Sequence, residues 1–445
     1  MSVDAAVREP VSPPAETAPE QPASRAGIPA IIKRNAGLLT AAEAFTGTGQ
    51  QMVPTLGAIM VLQLTGSAAL AGLASSMSGL TRVLVSYPSG RLADRYGRKA
   101  VLVTGLLLTF VGAIGLGSSV ILASFPLFVG ALFVFGIGNG TSQQQRRLSA
   151  ADLYPPERRA QGLGYVLTGS LVGALGGPVL IGLAGLIAGS GGLDETSLSW
   201  FLVPFVLIPS LGLILRIHPD PKQIALHLER YWPGHTPSGV AAKRATKVNL
   251  WTFFHNYPHV VAFVSMFVLY GNMSMMMALT PVAMTHHGMP LQAISITVSL
   301  HVVGMYGLSM PIGKLADRLG RRRVLFAGVI LSTLGTILVA LTASYPLIVL
   351  GLYTIGVGWC CGNVTTAAIV ADTTPANIRG QAMGANTSFS AFASVAAPLL
   401  GGLLVEQWGT PSLMAITLVF IGPIVLLLLR LREPKPGVYL HPTTF

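Results

Sequence analysis

Residues 90–99, Gly-Arg-Leu-Ala-Asp-Arg-Tyr-Gly-Arg-Lys, recur as residues 313–322, Gly-Lys-Leu-Ala-Asp-Arg-Leu-Gly-Arg-Arg. Each copy follows the second long apolar segment of its half of the chain, and a weaker match relates the sequence around Asp152 to that around Asp372. Repeats at matched positions predict that the chain is a duplicated unit of six helices. In each copy the glycines permit a tight turn between two helix ends. The aspartate can pair with a nearby arginine or face the amino terminus of a neighbouring helix.

The composition around these repeats is that of a membrane protein. Of the 445 residues, 51% are hydrophobic and 10% are charged, and 51 are glycine. Because a typical soluble protein is about a quarter charged, this composition excludes an ordinary cytosolic enzyme. The two cysteines, Cys360 and Cys361, are neighbours in an apolar run, which excludes a disulfide scaffold.

Twelve apolar segments are long enough to cross a hydrocarbon layer of about 30 Å. We therefore predict an all-α membrane protein of twelve transmembrane helices in two pseudo-symmetric six-helix bundles. The predicted regions are a disordered cytoplasmic tail (1–35), an amino-terminal bundle (36–217), a cytoplasmic linker (218–259), a carboxy-terminal bundle (260–430) and a cytoplasmic tail (431–445).

The positive charges predict the orientation of these helices. The net charge is +12, and every Lys and Arg except Arg82 falls in the tails or in loops on one side of the predicted bundles. By the positive-inside rule both termini are cytoplasmic, so we expect a multi-pass protein in the lipid bilayer of a bacterial cytoplasmic membrane. Charge confined to short loops argues against a nucleic-acid partner, and the absence of a Gly-x4-Gly-Lys-Ser/Thr sequence argues against ATP. Nothing in the sequence requires more than one chain.

The repeated loop resembles the motif of the major facilitator superfamily, and with the twelve segments the resemblance covers about residues 36–431. It implies a secondary transporter whose two bundles alternate access to a site at the membrane midplane, and therefore no enzyme. It also implies that the loops gate this movement; a role only as markers of topology is an equally good interpretation. The gating candidates are Gly90, Asp94, Arg95, Gly97, Arg98, Gly313, Asp317, Arg318, Gly320 and Arg321.

The fifth apolar segment contains Gly173, Gly177 and Pro178 in a pattern that resembles the superfamily motif associated with antiporters. Small residues also allow helix backbones to approach closely, and proline permits a bend. Tight helix packing is therefore an equally good interpretation, and the pattern supports efflux only weakly.

The seventh and eighth segments carry a candidate metal site. Met273 and Met277 are four residues apart, as are His301 and Met305, so each pair projects from one face of its helix. Met273 and His301 are equally distant in sequence from His287, so on antiparallel helices they reach equal depth, about 20 Å from the connecting loop. Three thioethers and an imidazole suit monovalent copper. Methionine is also a common filler of apolar gaps, which is the alternative.

This pattern also resembles the CcoA-like branch of the superfamily, which includes bacterial copper importers. The resemblance implies that Met273, Met277, His301 and Met305 are ligands of copper as the transported ion, with no permanently bound cofactor. Riboflavin importers belong to the same branch, so riboflavin import is an alternative, as is proton-coupled drug efflux. A sensor or assembly factor on the same fold is a rival from another class.

Four further residues are candidates for a metal relay. Cys360 and Cys361 lie in the tenth segment, where they could transfer copper or serve as inert small hydrophobic residues. His286 and His287 lie in the outer loop, where they could capture metal or simply be solvated.

Glu43 is the only carboxylate deep in an apolar segment, and Arg82 in the second segment lies at a similar depth. An unpaired charge at this depth costs several kcal/mol. We therefore predict that Glu43 either pairs with Arg82 or is protonated much of the time. The pair would serve either proton coupling or structure.

Overall fold

Long α-helices make up nearly all of the chain that the computed structural model describes, namely residues 27–67, 69–155, 158–191, 194–232, 250–374 and 378–433. No strand occurs within these residues. Most of the predicted tails, at 1–26 and 434–445, lies outside the described residues, as does linker segment 233–249.

Six helices form the amino-terminal bundle. The first, α1, starts as Ala30–Gln50, passes through a π-helical turn at Val53–Gly57 that contains Pro54, and ends as Ala58–Thr65. Pro54 has no backbone N–H, which accounts for the break in the regular helix. The other five helices are α2 (Leu73–Tyr96), α3 (Arg98–Ile121), α4 (Phe125–Asp152), α5 (Arg159–Gly191) and α6 (Glu195–Leu215).

Six more helices form the carboxy-terminal bundle. Two short linker helices, Pro221–Leu226 and Leu228–Tyr231, and a 3-10 turn, Leu250–His255, precede it. Its helices are α7 (Tyr257–His286), α8 (Leu291–Gly307 and Ser309–Leu319), α9 (Arg321–Leu341), α10 (Tyr345–Thr373), α11 (Arg379–Trp408) and α12 (Pro411–Arg430).

The helices have the length and composition that a membrane requires. Among the described residues nine are long and apolar enough to cross it, and the two parts of α8, bent by 43°, make a tenth. The broken α1 and the charge-bearing α2 complete the twelve. The chain is thus an all-α, multi-pass membrane protein of twelve helices in two bundles, as predicted.

The amino-terminal bundle begins earlier than the sequence suggested. Residues 30–35 were expected to belong to a disordered tail, but α1 starts at Ala30. Ile32 is fully buried in the core of the bundle, and the Asn35 side chain donates hydrogen bonds to the backbone carbonyls of His218 and Pro219. These contacts stabilise the first turn of α1. They were missed because the apolar run in the sequence starts only after this turn.

The two bundles contact each other mainly through two pairs of helices: α2 packs against α11, and α5 packs against α8. We call the side on which Ala30 and Arg430 lie the terminal side, and the opposite side the distal side. Near the distal side, the Ser76 hydroxyl donates to the carbonyl of Val395 at 2.6 Å, and the Ser299 hydroxyl to that of Ala174, also at 2.6 Å. The bundles are therefore held together on the distal side.

Candidate substrate-binding site

The predicted metal ligands lie in the core of the carboxy-terminal bundle. Met273, Met277, His301 and Met305, which we call the Met/His cluster, lie on α7 and α8: Met273 and Met305 belong to one apolar cluster formed mainly by α7, α8 and α10, and Met277 packs against it. His301 is fully buried, Met273 and Met305 are buried, and Met277 is partly buried. The sequence-based expectation that the four side chains face one another at one depth stays a prediction.

His301 has a fixed orientation and a free nitrogen. Its Nδ1–H donates to the backbone carbonyl of Leu352 at 2.6 Å, so a neutral imidazole carries its lone pair on Nε2. That Nε2 is buried and has no hydrogen-bond partner among the residues that the structure describes. A lone pair oriented by a bond to the other ring nitrogen is typical of metal-ligating histidines.

The predicted relay residues point in different directions. The Cys360 sulfur lies 3.4 Å from the Ser309 hydroxyl, one turn beyond Met305 on α8. Cys361 packs instead against Gly328 of α9, where a side chain would overlap its Cβ. His286 and His287 are exposed in the distal loop. Within the described part of the chain, no three His, Cys, Asp or Glu side chains form a metal-binding group.

Three aromatic rings, the aromatic cluster, lie one helical turn from the Met/His cluster on the terminal side. The ring centroids of Tyr270 and Trp359 are 5.9 Å apart at 70°, and those of Tyr306 and Trp359 are 5.7 Å apart at 73°. Arg82 of α2 donates from Nη1 to the Tyr270 hydroxyl at 3.1 Å. This contact joins the two bundles near the centre of the membrane.

The predicted pairing of Glu43 with Arg82 is wrong. Glu43 is fully buried and forms an ion pair with Arg146, which is also fully buried, and it accepts a hydrogen bond from the Ser170 hydroxyl at 2.6 Å. Equal depth does not make two residues neighbours: α1 packs against α4, α5 and α6, and Arg146 projects from α4. Arg146 was expected in a loop, but α4 continues to Asp152 and carries it into the core.

The repeated loops form two equivalent charge clusters at the terminal side. Arg98 pairs with Asp94 at 3.3 Å and with Asp152 at 2.8 Å. Arg321 of the second copy pairs with Asp317 at 3.0 Å and, through its equivalent Nε, with Asp372 at 3.1 Å. The repeats predicted the pairing of Asp94 and Asp317 with a nearby arginine, whereas the pairs with Asp152 and Asp372 were not predicted. Both alternatives for the loops, gating and topology, are compatible with them.

Two carboxylates that the sequence analysis missed complete these clusters. The turn glycines Gly97 and Gly320 have φ of 95° and 97°, values that favour glycine. After Gly97, Asp220 accepts hydrogen bonds from the first backbone N–H groups of α3, and after Gly320, Glu433 does the same for α9. A carboxylate at a helix amino terminus satisfies unpaired N–H groups and the helix dipole. The sequence did contain a signal for these caps, because a carboxylate follows both the sixth helix and the twelfth helix at a short distance.

The glycines of α5 serve packing. A side chain at Gly173 would overlap the backbone of α1 at Ala44 and Gly47, and a Cβ at Gly177 would lie 3.1 Å from the Gln51 Cβ. Gly177 also lies beside Ser295 of α8, in the other bundle. The motif thus brings α5 close to α1 and to the interface between the bundles.

Comparisons with known proteins identify the family of this chain and relatives that are transporters. The family model described as Major Facilitator Superfamily matches residues 39–271 and 261–443. The uncharacterized MFS-type transporter YdeG of Bacillus subtilis is 29% identical over 403 residues, 90% of this chain and 91% of the relative. The riboflavin transporter RfnT of Brucella anthropi is 26% identical over 423 residues, 91% and 97% of the two chains. A bacterial homolog of the human lysosomal transporter Spinster, solved in an inward-facing and unoccupied conformation, shares the fold with a TM-score of 0.66 at 14% identity, over 90% of this chain and 97% of that one.

Proposed function

This chain belongs to the major facilitator superfamily of secondary transporters and is not an enzyme, and from that premise we propose that it imports copper across a bacterial cytoplasmic membrane. Copper is the transported ion in this proposal and no cofactor is permanently bound. Both termini are cytoplasmic, so the terminal side faces the cytoplasm and the distal side faces outward. One chain carries the complete transport path.

One observation carries the copper proposal: the Nε2 of His301 is buried without a hydrogen-bond partner among the described residues, one helical turn from Met305, which shares an apolar cluster with Met273. A buried polar atom without a partner is costly unless a ligand satisfies it. Thioethers and a neutral imidazole bind monovalent copper without releasing a proton, and an apolar surround favours a soft, singly charged ion over a strongly hydrated divalent one.

Copper binding to the purified protein tests this proposal. Met273→Leu and Met277→Leu retain apolar volume and remove the sulfur, and such swaps usually cost less than about 1.5 kcal/mol of stability. We expect each to weaken binding of monovalent copper at least about tenfold, and His301→Ala to weaken it most, because imidazole is the strongest donor in the set.

The matched control is Met266→Leu, since Met266 is buried in the same cluster on the same helix but lies outside the motif. This variant should bind copper as the wild type does. If Met273→Leu and Met277→Leu bind copper as well as Met266→Leu, the methionines only fill space and the copper proposal fails.

Riboflavin import is the second candidate function, and the similarity to RfnT over 91% of this chain favours it. It predicts uptake of riboflavin that does not depend on the sulfur atoms of Met273 and Met277. Radiolabelled riboflavin and copper, supplied to the same reconstituted protein, distinguish the two candidates directly.

A further inference from the structure

Arg82 lies inside the length of α2, yet its side chain is exposed. A charged residue within a membrane helix is tolerated when it faces a water-filled path or a partner. Arg82 meets Tyr270 of the other bundle, so it faces the interface between the bundles rather than lipid. The interface between the bundles therefore carries a positive charge at this level.

The aromatic cluster lies at the same level as Arg82, since Arg82 contacts the Tyr270 hydroxyl. Tyr270 and Tyr306 both stand at steep angles to the Trp359 ring, on α7 and α8 respectively. Tyr270 and Tyr306 are only partly buried, so neither ring is fully covered by protein. Aromatic faces of this kind stack with planar ring systems.

An independent observation points to a ligand. Trp359 is 5% exposed, and its Nε1–H has no hydrogen-bond partner in the described part of the chain. Buried indole N–H groups usually have an acceptor. Arg82 and Trp359 together would supply N–H donors beside the tyrosine rings.

We propose that Arg82 and the aromatic cluster form a second binding subsite, which holds a planar aromatic solute with carbonyl or anionic oxygens at its edge. The rings stack on the planar system, and Arg82 and the Trp359 N–H donate to the edge oxygens. A cationic solute is disfavoured because Arg82, which contacts Tyr270 in this subsite, is positive. This subsite does not depend on the copper proposal, since none of its side chains belongs to the Met/His cluster.

Titration of the full-length protein in lipid nanodiscs with lumichrome, a neutral tricyclic compound with edge carbonyls, tests the subsite. Binding is followed through the fluorescence of the compound. Arg82→Gln and Trp359→Leu should each weaken binding at least about tenfold, whereas Tyr270→Phe, which keeps the ring, should weaken it less. Proflavine, a planar cation of similar size, should bind more weakly than lumichrome to the wild type and gain affinity in Arg82→Gln.

Trp408→Leu is the matched control, because Trp408 is 67% exposed at the distal end of α11. The melting temperature of each variant in detergent reports whether the protein is folded, so the test of this subsite stays separate from the copper proposal. If Trp359→Leu fails to fold, Trp359→Phe is tested in its place, and if Arg82→Gln fails to fold, Arg82→Lys is tested in its place. No binding of lumichrome to the wild type up to about 1 mM, or equal binding by wild type, Arg82→Gln and Trp359→Leu, would overturn the subsite.

Discussion

At the scale of single residues, the pair of Glu43 and Arg146 is the most demanding feature of the amino-terminal bundle. Both side chains are fully buried, and the Ser170 hydroxyl donates a hydrogen bond to the carboxylate. Taking two charges out of water is costly, so their mutual attraction must be retained for the bundle to remain stable. Glu43 stays our candidate for proton coupling, with Arg146 in the place that the sequence assigned to Arg82.

Removing one charge should destabilise the bundle more than removing both. Breaking a buried pair costs about 3–5 kcal/mol because one charge is left uncompensated. We expect Glu43→Gln and Arg146→Gln to lower the melting temperature in detergent, and the double variant to recover most of the loss. The double variant should exchange substrate across the membrane but lose uptake driven by a proton gradient.

Glu43→Gln combined with Arg82→Gln is the control, because Arg82 contacts Tyr270 and not Glu43. This combination should not recover stability. If Arg82→Gln restored the melting temperature of Glu43→Gln, the assigned ion pair would be wrong. If a stable Glu43→Gln protein took up substrate at the wild-type rate under a proton gradient, the coupling role would be wrong.

At the scale of helices, the contact between α2 and α11 decides how closely the bundles approach on the distal side. A Cβ at Gly72, at the start of α2, would overlap the carbonyl oxygen of Pro398. Beside it, the Glu406 carboxylate accepts hydrogen bonds from the Ala69 N–H at 2.6 Å and from the Ser67 hydroxyl at 3.0 Å. Backbone contact of this kind has no flexible side chain that could move aside.

Gly72→Leu should therefore hold the distal side open. We expect normal insertion in the membrane, at least about tenfold slower transport, and faster labelling of a cysteine introduced at Ser299, which is buried against α5 when the bundles close. Gly164→Leu is the control, since a side chain at Gly164 meets no atom within 4 Å. Wild-type transport and labelling by Gly72→Leu would show that the contact does not limit closure.

Features within one helix could be predicted from the sequence, whereas contacts between helices mostly could not. Local patterns were sufficient for the twelve helices, which depend on runs of apolar residues, and for the pairing of Asp94 and Asp317 with a nearby arginine, which lies only four residues away. The partner of Glu43 was missed because it depends on the rotation and neighbours of α1, which depth does not determine. Asp220 and Glu433 were missed because they cap helices more than a hundred residues away.

At the scale of the whole molecule, the two bundles are pseudo-symmetric, and the symmetry includes the carboxylates of Asp220 and Glu433 that cap α3 and α9. Such a pair of bundles can rock about a central site, where Arg82 and Tyr270 join them. Contacts through Ser76 and Ser299 hold the distal side together, so release of substrate in this arrangement would occur toward the terminal side.

The predicted orientation is open to a direct test. Tags at Ser2 and Phe445 should be accessible only from the cytoplasm, and a tag at His286, which is exposed in the distal loop, only from outside. Protease protection in oriented vesicles measures this. A cytoplasmic tag at His286 would contradict the charge argument and reverse the direction of release.

Uptake of copper and of riboflavin by the purified protein in liposomes tests the central proposal most directly. We expect copper to accumulate in response to a gradient in the wild type and in Met266→Leu, and accumulation to fall at least about tenfold in Met273→Leu, Met277→Leu and His301→Ala. Riboflavin uptake without copper uptake, or copper uptake that none of these three changes reduces, would contradict the assignment of the Met/His cluster as the copper site.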